Sequence, residues 1–334
     1  MNTEILKRLV RAIATGSQED LDRMARKVVD AEREVGHARL ADELTKILDR
    51  SARRTSAAGA KTDADRSLRE LPVSRRQQEV LVTFVPRDAL EHHMVLPPEV
   101  DERFSRVERE FAARERLSAY GLRPRKTVLL YGPPGCGKSL GAKRLAWNTG
   151  LPLMKVRFDA LISSYFGESA SNLRAVFDTV KGRPCVLLLD ECDFIARSRT
   201  NTKDIGEAGR IVNTLLQLME EYDAPGILVA TTNIENSLDH ALFRRFDDAF
   251  PVPLPGSAQV DQLLRFTLSA VKLSPSIPWP EIVELLSGAS AADVVKAAQA
   301  AAKAAVLEGH RVVEEKHLRR SISEVRHQNS NRGS

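Results

Sequence analysis

The chain has 334 residues, of which 43% are hydrophobic and 28% charged, and its formal net charge at pH 7 is +5. This composition is typical of a globular protein and excludes membrane-inserted, collagen-like and disulfide-scaffold proteins. The 50 Lys and Arg nearly balance the 45 Asp and Glu, so charge alone does not indicate a nucleic-acid partner. Cys136, Cys185 and Cys192 form no CxxC pair, which argues against disulfides and zinc and favours a cytoplasmic protein.

The N-terminal part of the chain predicts a helical module followed by a linker. Residues 1–50 carry apolar side chains at helical spacing, and Ser17 with Asp20 has the pattern of a capping box. The stretch RSARRTSAAGAKTDADRSLR has almost no large apolar side chain, so burial cannot offset the entropy lost on ordering it. We therefore predict a small helical module at 1–50 and a flexible linker at 51–75.

Residues 76–255 have the pattern of an α/β domain. Mostly apolar runs alternate with helical stretches, as in a parallel sheet covered on both faces. The runs are KTVLLY (126–131), LPLMKVRF (151–158), CVLLLD (185–190), GILVATTN (226–233) and FPVPL (250–254). They predict a doubly wound sheet of five parallel strands.

After Pro255 and Gly256 the pattern predicts helices only. An Ala-rich helix should begin after Ser290, which forms a capping signal with Asp293. We therefore predict a small helical subdomain at 256–326 and a disordered tail at 327–334.

The strongest motif lies between a predicted strand and a predicted helix, where GPPGCGKS at 132–139 matches GxxxxGK[ST]. Glycines let backbone N–H groups surround a phosphate, and the helix N-terminus adds positive potential. We expect Lys138 to reach the β and γ phosphates and Ser139 to bind Mg²⁺. A purely structural Gly-rich turn is the alternative, but Lys and Ser stand at the required offsets. The predicted nucleotide-binding residues are Gly132, Pro133, Pro134, Gly135, Cys136, Gly137, Lys138, Ser139 and Leu140.

Polar residues also end two other predicted strands. Asp190 follows CVLLL, with Glu191 next to it, and Asn233 ends GILVATTN. Ligands of open parallel sheets bind beyond the carboxyl ends of the strands, so these residues should meet the loop at 132–139 in one crevice. Asp190 could hold Mg²⁺, Glu191 could activate water as a base, and Asn233 could orient that water. Alternatively, Asp190 and Glu191 only end a strand and Asn233 only forms a turn.

Taken in order, GPPGCGKS, VLLLDE, TTN and LDHALFRRFDD resemble the Walker A, Walker B, sensor 1 and second region of homology motifs of the AAA ATPases, within the AAA+ class. The resemblance spans about residues 90–310. It implies an AAA+ P-loop fold whose helical subdomain forms a lid, with ATP as substrate and Mg²⁺ as cofactor. It further implies Phe266 and Thr267 as candidates for the adenine pocket.

The family resemblance also assigns a role to Arg244 and Arg245 in ALFRRFDD. They match the arginine-finger pair that reaches the nucleotide of the neighbouring subunit, and their adjacency resembles spastin- and katanin-like members. This implies a homo-oligomeric ring, usually a hexamer. From the spacing alone, the alternative is a solvated pair or a pair bound to Asp247 and Asp248.

The segment SYFGE resembles pore loop 1 of the family, with Tyr165 in the aromatic position, followed by Phe166 and Gly167. Aromatic rings around a ring axis could grip an extended polypeptide without reading its sequence. The alternative is that these side chains pack in the core. Residues 199–209 are either pore loop 2 or an ordinary surface loop.

The favoured hypothesis is a ring-forming ATPase that pulls on protein substrates, with residues 1–50 recruiting a substrate or a separately encoded partner such as an adaptor or protease. Alternatively, residues 1–50 only assist oligomerisation. A nucleic-acid motor or loader is disfavoured because aromatic residues make up only 5% of the chain. A nucleotide-gated scaffold, in which binding matters and turnover does not, is the third hypothesis.

Overall fold

The computed structural model of the protein describes residues 71–74, 79–161, 168–193, 207–233, 243–309 and 312–330. The module predicted at 1–50 and most of the predicted linker lie outside these residues. The end of that predicted linker does not: Ser74 is buried, and Val73 forms an antiparallel bridge with Val80. The folded α/β domain therefore includes Leu71–Ser74, because these residues pack against the edge of the domain.

The main sheet has six strands, which are β1 Val82–Val85, β2 Thr127–Tyr131, β3 Leu153–Val156, β4 Val186–Leu189, β5 Ile227–Thr232 and β6 Asp248–Pro251. Their order across the sheet is β1-β3-β4-β5-β2-β6. Strands β2 to β6 pair in parallel, and β1 pairs antiparallel with β3. The prediction of five strands is therefore wrong by one, because VTFV adds an edge strand too short to show a clear pattern.

Helices cover both faces of this sheet. They are α1 Pro98–Ala112, α2 Arg114–Ala119, α3 Lys138–Thr149, α4 Phe158–Leu161, α5 Glu168–Lys181 and α6 Glu207–Glu220. Side chains alternate along the central strands, as the two-residue period of a strand requires. In β4, Leu188 packs with α1 and α3, whereas Leu187 packs with α5 and α6. The near-continuous apolar runs in the sequence follow from this two-sided burial.

The C-terminal part is a helical subdomain around its own apolar core. Its helices are α7 Ser257–Thr267, α8 Trp279–Leu285, α9 Ala291–Leu307 and α10 Glu315–Ser330. As predicted, Ser290 caps α9: its hydroxyl oxygen accepts a 3.2 Å hydrogen bond from the backbone N–H of Asp293. This subdomain brings the start of α9 to the loop that follows β2.

Two features of this subdomain correct the sequence prediction. Strands do not stop after Gly256, since β7 Lys272–Leu273 and β8 Val312–Val313 form a small parallel pair. The tail predicted from residue 327 is not wholly disordered, because α10 continues to Ser330. In the described part of the chain, no helix is both long and apolar enough to cross a membrane.

Candidate functional site

The loop at 132–139 leaves the carboxyl end of β2, which lies between β5 and β6, and leads into α3. Gly137 precedes the helix with φ of 95°, a left-handed conformation that strongly favours glycine. The loop is also tightly packed at its start, since a Cβ on Gly132 would lie 2.5 Å from the carbonyl oxygen of Val252. Gly132 and Gly137 are therefore required by the packing and conformation of the backbone, and their lack of a side chain also lets a phosphate approach closely.

Lys138 is the first residue of α3 and is 7% exposed. Its Nζ donates hydrogen bonds to the carbonyl oxygens of Gly132, at 2.8 Å, and Pro133, at 2.7 Å. Burial lowers the pKa of Lys138, although the carboxylates of Asp190 and Asp193 act in the opposite direction. A buried ammonium group whose nearest partners are neutral carbonyls is well placed to bind an anion.

Asp190 lies directly after β4 and brings three elements together. Its Oδ1 accepts hydrogen bonds from the hydroxyls of Ser139, at 2.7 Å, and Thr231, at 2.6 Å. Its Oδ2 pairs with Nζ of Lys155, at 2.6 Å. Burial alone would raise the pKa of Asp190, but the hydrogen bonds from Lys155, Thr231 and Ser139 outweigh it and hold the pKa below its usual value. Asp190 is therefore a carboxylate at neutral pH.

The oxygens of Ser139 and Asp190 suit a hard cation such as Mg²⁺. Within the described ranges, no group of three or more His, Cys, Asp or Glu side chains is arranged to hold a metal. Among the described residues, a cation beside Ser139 and Asp190 would therefore need phosphate oxygens and water as its other ligands. That requirement matches the way Mg²⁺ binds in nucleotide sites, so the residues present fit the predicted cofactor.

Glu191 is exposed and has φ of 56°, the only positive φ of a non-glycine residue in the described part of the chain. Its backbone N–H donates a 2.9 Å hydrogen bond to the hydroxyl of Thr231, and the next N–H, of Cys192, donates to the carbonyl oxygen of Thr231 at 2.8 Å. Left-handed backbone is unfavourable for a residue with a Cβ, so the neighbouring strand β5 enforces it. Strain of this kind is typical of functional sites.

Asn233 is held by Asp193, a residue that the sequence prediction missed. Asp193 Oδ1 accepts from the backbone N–H of Asn233, at 2.8 Å, and from the hydroxyl of Thr232, at 2.7 Å. The Asn233 Nδ2 donates to Oδ2 of Asp193, at 3.1 Å. The end of β5 is thereby joined to the segment that carries Asp190 and Glu191. The signal for Asp193 was the run DECD, in which only the first two acidic residues were interpreted.

The helical subdomain touches the phosphate loop directly. The backbone N–H of Ala292, in the first turn of α9, donates a 2.9 Å hydrogen bond to the carbonyl oxygen of Gly135. A Cβ on Gly135 would lie 2.6 Å from the hydroxyl oxygen of Ser290. Any molecule that moves the phosphate loop would therefore also act on α9.

The two residues suggested for an adenine pocket lie at the end of α7. Phe266 is half-exposed and stacks on the ring of His93 with 3.9 Å between centroids, while Thr267 is half-buried. The segment that contains His93 also approaches the phosphate loop, because the methyl carbon of Met94 lies 3.4 Å from where a Cβ on Gly137 would stand. His93 and Met94 carry no motif and were not predicted.

The structure distinguishes the two candidate finger residues. Arg244 is exposed, and in the described part of the chain it makes no ion pair. Arg245 is paired with Glu220 at the end of α6, with 2.8 Å between Nε and Oε1. Phe243, just before them, packs edge-on against Tyr131, the last residue of β2. The arginine segment is therefore attached to the strand that carries the phosphate loop.

The alternative in which these arginines bind Asp247 and Asp248 is not observed. Asp247 Oδ2 accepts from the backbone N–H groups of Lys126, at 2.8 Å, and Thr127, at 2.9 Å. Asp248 forms an ion pair with Arg103 of α1. Asp247 therefore binds the start of β2 and Asp248 binds α1, so neither carboxylate pairs with Arg244 or Arg245.

Tyr165, Phe166 and Gly167 lie outside the described residues, as do residues 199–206 of the second predicted pore loop. The cysteines are described and buried, and all three are free thiols. Burial raises the pKa of each thiol, in Cys185 to about 12, so none is a reactive thiolate at neutral pH. Cys136 in the phosphate loop therefore has no nucleophilic role.

Comparisons with known proteins give the family of this chain. Residues 128–254 match the family described as ATPase family associated with various cellular activities (AAA). The chain is also 32% identical over 324 residues to an uncharacterized AAA family ATPase of Sinorhizobium fredii, covering 96% of this chain and 94% of that protein. This chain belongs to the AAA family of ATPases. The AAA ATPase described here therefore binds nucleotide and hydrolyses ATP, with the phosphate loop at 132–139 inside the matched region.

Proposed function

We propose that this AAA ATPase forms a homo-oligomeric ring, a hexamer, in which each ATP site is completed by Arg244 of the neighbouring subunit. The observation that carries the proposal is the contrast between adjacent arginines. Arg245 is paired with Glu220 of its own chain, whereas Arg244 is exposed and, among the described residues, has no ion-pair partner. An exposed guanidinium at this position is available to a phosphate outside its own chain.

The charge that develops during hydrolysis explains why such an arginine is needed. As the γ phosphoryl group loosens, negative charge accumulates on its oxygens and on the departing oxygen. Lys138 and the backbone N–H groups of the loop bind the phosphates from within the subunit. A guanidinium from the next subunit stabilises the remaining charge, so hydrolysis would depend on assembly.

Other residues of the site act on the attacking water. The Glu191 carboxylate accepts the proton from that water, and the Asn233 amide, held by Asp193, fixes the orientation of the water. Ser139 and Asp190 would hold Mg²⁺, which supplies positive charge beside the phosphates. The strained backbone at Glu191 is the feature of the structure that supports its role as the base.

The work done by the ring is proposed to be the pulling of polypeptide through an axial pore. Tyr165, Phe166 and Gly167 would grip the substrate, and they directly precede α5, which begins at Glu168. Residues 1–50 would recruit the substrate or a separately encoded partner, as in spastin- and katanin-like proteins. The buried thiols suit a reducing compartment, and we propose a cytoplasmic location.

Assembly can be tested with Glu191→Gln, which should bind ATP without cleaving it. Sedimentation velocity of this variant with saturating ATP and Mg²⁺ should give the mass of a hexamer. The matched control is Glu191→Gln combined with Lys138→Ala, whose mass should not change when ATP is added because it cannot bind nucleotide. A Glu191→Gln sample that remains monomeric at high protein concentration would contradict the proposal.

A further inference from the structure

Lys155 is a charged residue in the otherwise apolar strand β3, and the proposed function assigns it no role. It is paired in register with Leu188 of β4. Asp190 lies two residues after Leu188, so the strand period places it toward the same face as Leu188. Leu153, two residues before Lys155, packs in the core on that face together with α3. Lys155 therefore projects toward the crevice that contains the phosphate loop.

Lys155 contacts one carboxylate oxygen of Asp190, and the other oxygen already accepts hydrogen bonds from other residues. Oδ1 accepts from two hydroxyls, of Ser139 and Thr231. Oδ2 has Nζ of Lys155 at 2.6 Å. The Asp190 side chain is only 8% exposed, whereas Lys155 is 47% exposed. The buried anion is thus neutralised by a cation that can leave toward solvent.

We propose that Lys155 is an internal counter-ion of Asp190 that competes with Mg²⁺, and that it sets the Mg²⁺ concentration at which nucleotide binds. The inference rests on the proposed role of Ser139 and Asp190 in holding Mg²⁺. Without the metal, Lys155 supplies a positive charge that compensates the buried carboxylate of Asp190. When Mg²⁺ binds, the ammonium and the metal repel each other and share one carboxylate, so the metal binds more weakly than it would without the lysine.

Lys155 is consequently a positioning residue that acts through Asp190 and does not touch the reacting atoms. Its removal should strengthen binding of the metal, which is the opposite of what loss of a ligand would do. Because Lys155 is half-exposed and screened by solvent, the change in the half-saturating Mg²⁺ concentration should be about three- to tenfold.

The test is a Mg²⁺ titration of nucleotide binding, with mant-ADP fluorescence as the readout. We expect Lys155→Met to reach half-saturation at about three- to tenfold lower Mg²⁺ than the wild type. Lys155→Arg keeps the charge and should titrate like the wild type. Lys181→Met is the control for general charge, because Lys181 pairs with Asp178 on the surface of α5.

Two outcomes would overturn the inference, and the second would also overturn the proposed Mg²⁺ site. If Lys155→Met needs as much Mg²⁺ as the wild type, or more, Lys155 does not compete with the metal. If the wild type itself binds mant-ADP equally well in Mg²⁺ and in EDTA, the metal assignment at Ser139 and Asp190 is also wrong. Lys155→Thr, whose side chain suits a strand, provides the same comparison should the Met variant fold poorly.

Discussion

The carbonyl oxygen of Gly135 in the phosphate loop accepts a 2.9 Å hydrogen bond from the backbone N–H of Ala292 in the first turn of α9. The two residues belong to different subdomains and are separated by most of the α/β domain in sequence. Their bond joins the proposed phosphate-binding loop to the helical subdomain. A change in the loop on nucleotide binding or release can therefore be transmitted to α9 without an intermediate element.

This contact predicts that Gly135→Ala weakens nucleotide binding. The new Cβ would meet the Ser290 hydroxyl at 2.6 Å, and φ of 75° is unfavourable for alanine. Gly150→Ala is the matched control, since its φ is 77° but nothing lies within 4 Å of its Cβ. Both variants should lose about 1–2 kcal/mol of stability from the left-handed backbone. Only Gly135→Ala should raise the Kd for ADP, measured by fluorescence titration; equal affinity in the two variants would disprove the contact's role.

Asp193→Ala should lower the ATPase rate while leaving nucleotide binding intact. Without this carboxylate, the amide of Asn233 and the hydroxyl of Thr232 each lose one hydrogen-bond acceptor, so the amide is no longer held in the observed orientation. We expect kcat to fall about ten- to a hundredfold, as for the loss of a group that orients a catalytic residue. Steady-state kinetics and ADP affinity are the measurements, with Asp178→Ala as a surface control. An unchanged kcat would show that Asn233 does not need Asp193.

The nucleotide-free protein should become more stable when Lys138 is replaced by Met. Burial lowers the pKa of Lys138, which means that folding opposes its charged form. This penalty is fully present at pH values below the lowered pKa, and it disappears as pH rises through the lowered pKa toward the ordinary lysine value. We expect Lys138→Met to add up to about 1 kcal/mol at pH 7.

Urea unfolding at pH 7 and at pH 10 measures this effect, and the advantage of the Met variant should shrink at the higher pH. The same variant should show no thermal stabilisation by ATP, because it lacks the group proposed to bind the phosphates. A Met variant less stable than the wild type at pH 7 would contradict this account of the buried ammonium group.

Two substitutions of Glu191 distinguish the chemical role of its side chain from the strain of its backbone. Glu191→Gln and Glu191→Gly should both abolish turnover, since neither can accept a proton. Glycine adopts the observed φ of 56° without strain, so Glu191→Gly should be more stable than Glu191→Gln, by up to about 1 kcal/mol. Thermal unfolding of the two variants without nucleotide makes the comparison. A less stable glycine variant would mean that the left-handed backbone is not strained.

The sequence predicts the parts of the site that follow from a pattern within one short segment, and it does not predict contacts between distant segments. The phosphate loop, Asp190 and Asn233 were predictable, because each follows an apolar strand and the carboxyl ends of parallel strands converge. The contacts that complete the site were not. Lys155 meets Asp190 only because β3 lies beside β4, and Asp193 meets Asn233 only because β4 lies beside β5. That strand order cannot be derived from a single sequence.

The remaining differences from the sequence prediction have similar physical causes. The edge strand β1 has four residues and one antiparallel neighbour, so it shows neither length nor a continuous apolar run. The linker's last residues are ordered by packing against the domain, as buried Ser74 shows, and composition does not report such packing. The two arginines look equivalent in sequence, and the ion pair with Glu220 on α6 distinguishes Arg245 from the exposed Arg244.

The claim that a neighbouring subunit completes the ATP site is tested most directly by mixing two inactive variants. Lys138→Ala lacks phosphate binding but supplies Arg244, and Arg244→Ala lacks the finger but keeps the phosphate loop. Each alone should show no ATPase activity. A 1:1 mixture should recover up to about one quarter of the wild-type rate, since random assembly pairs an intact loop with an intact finger at that frequency. A mixture as inactive as its components would contradict the account, as would an Arg244→Ala variant that hydrolyses ATP at the wild-type rate.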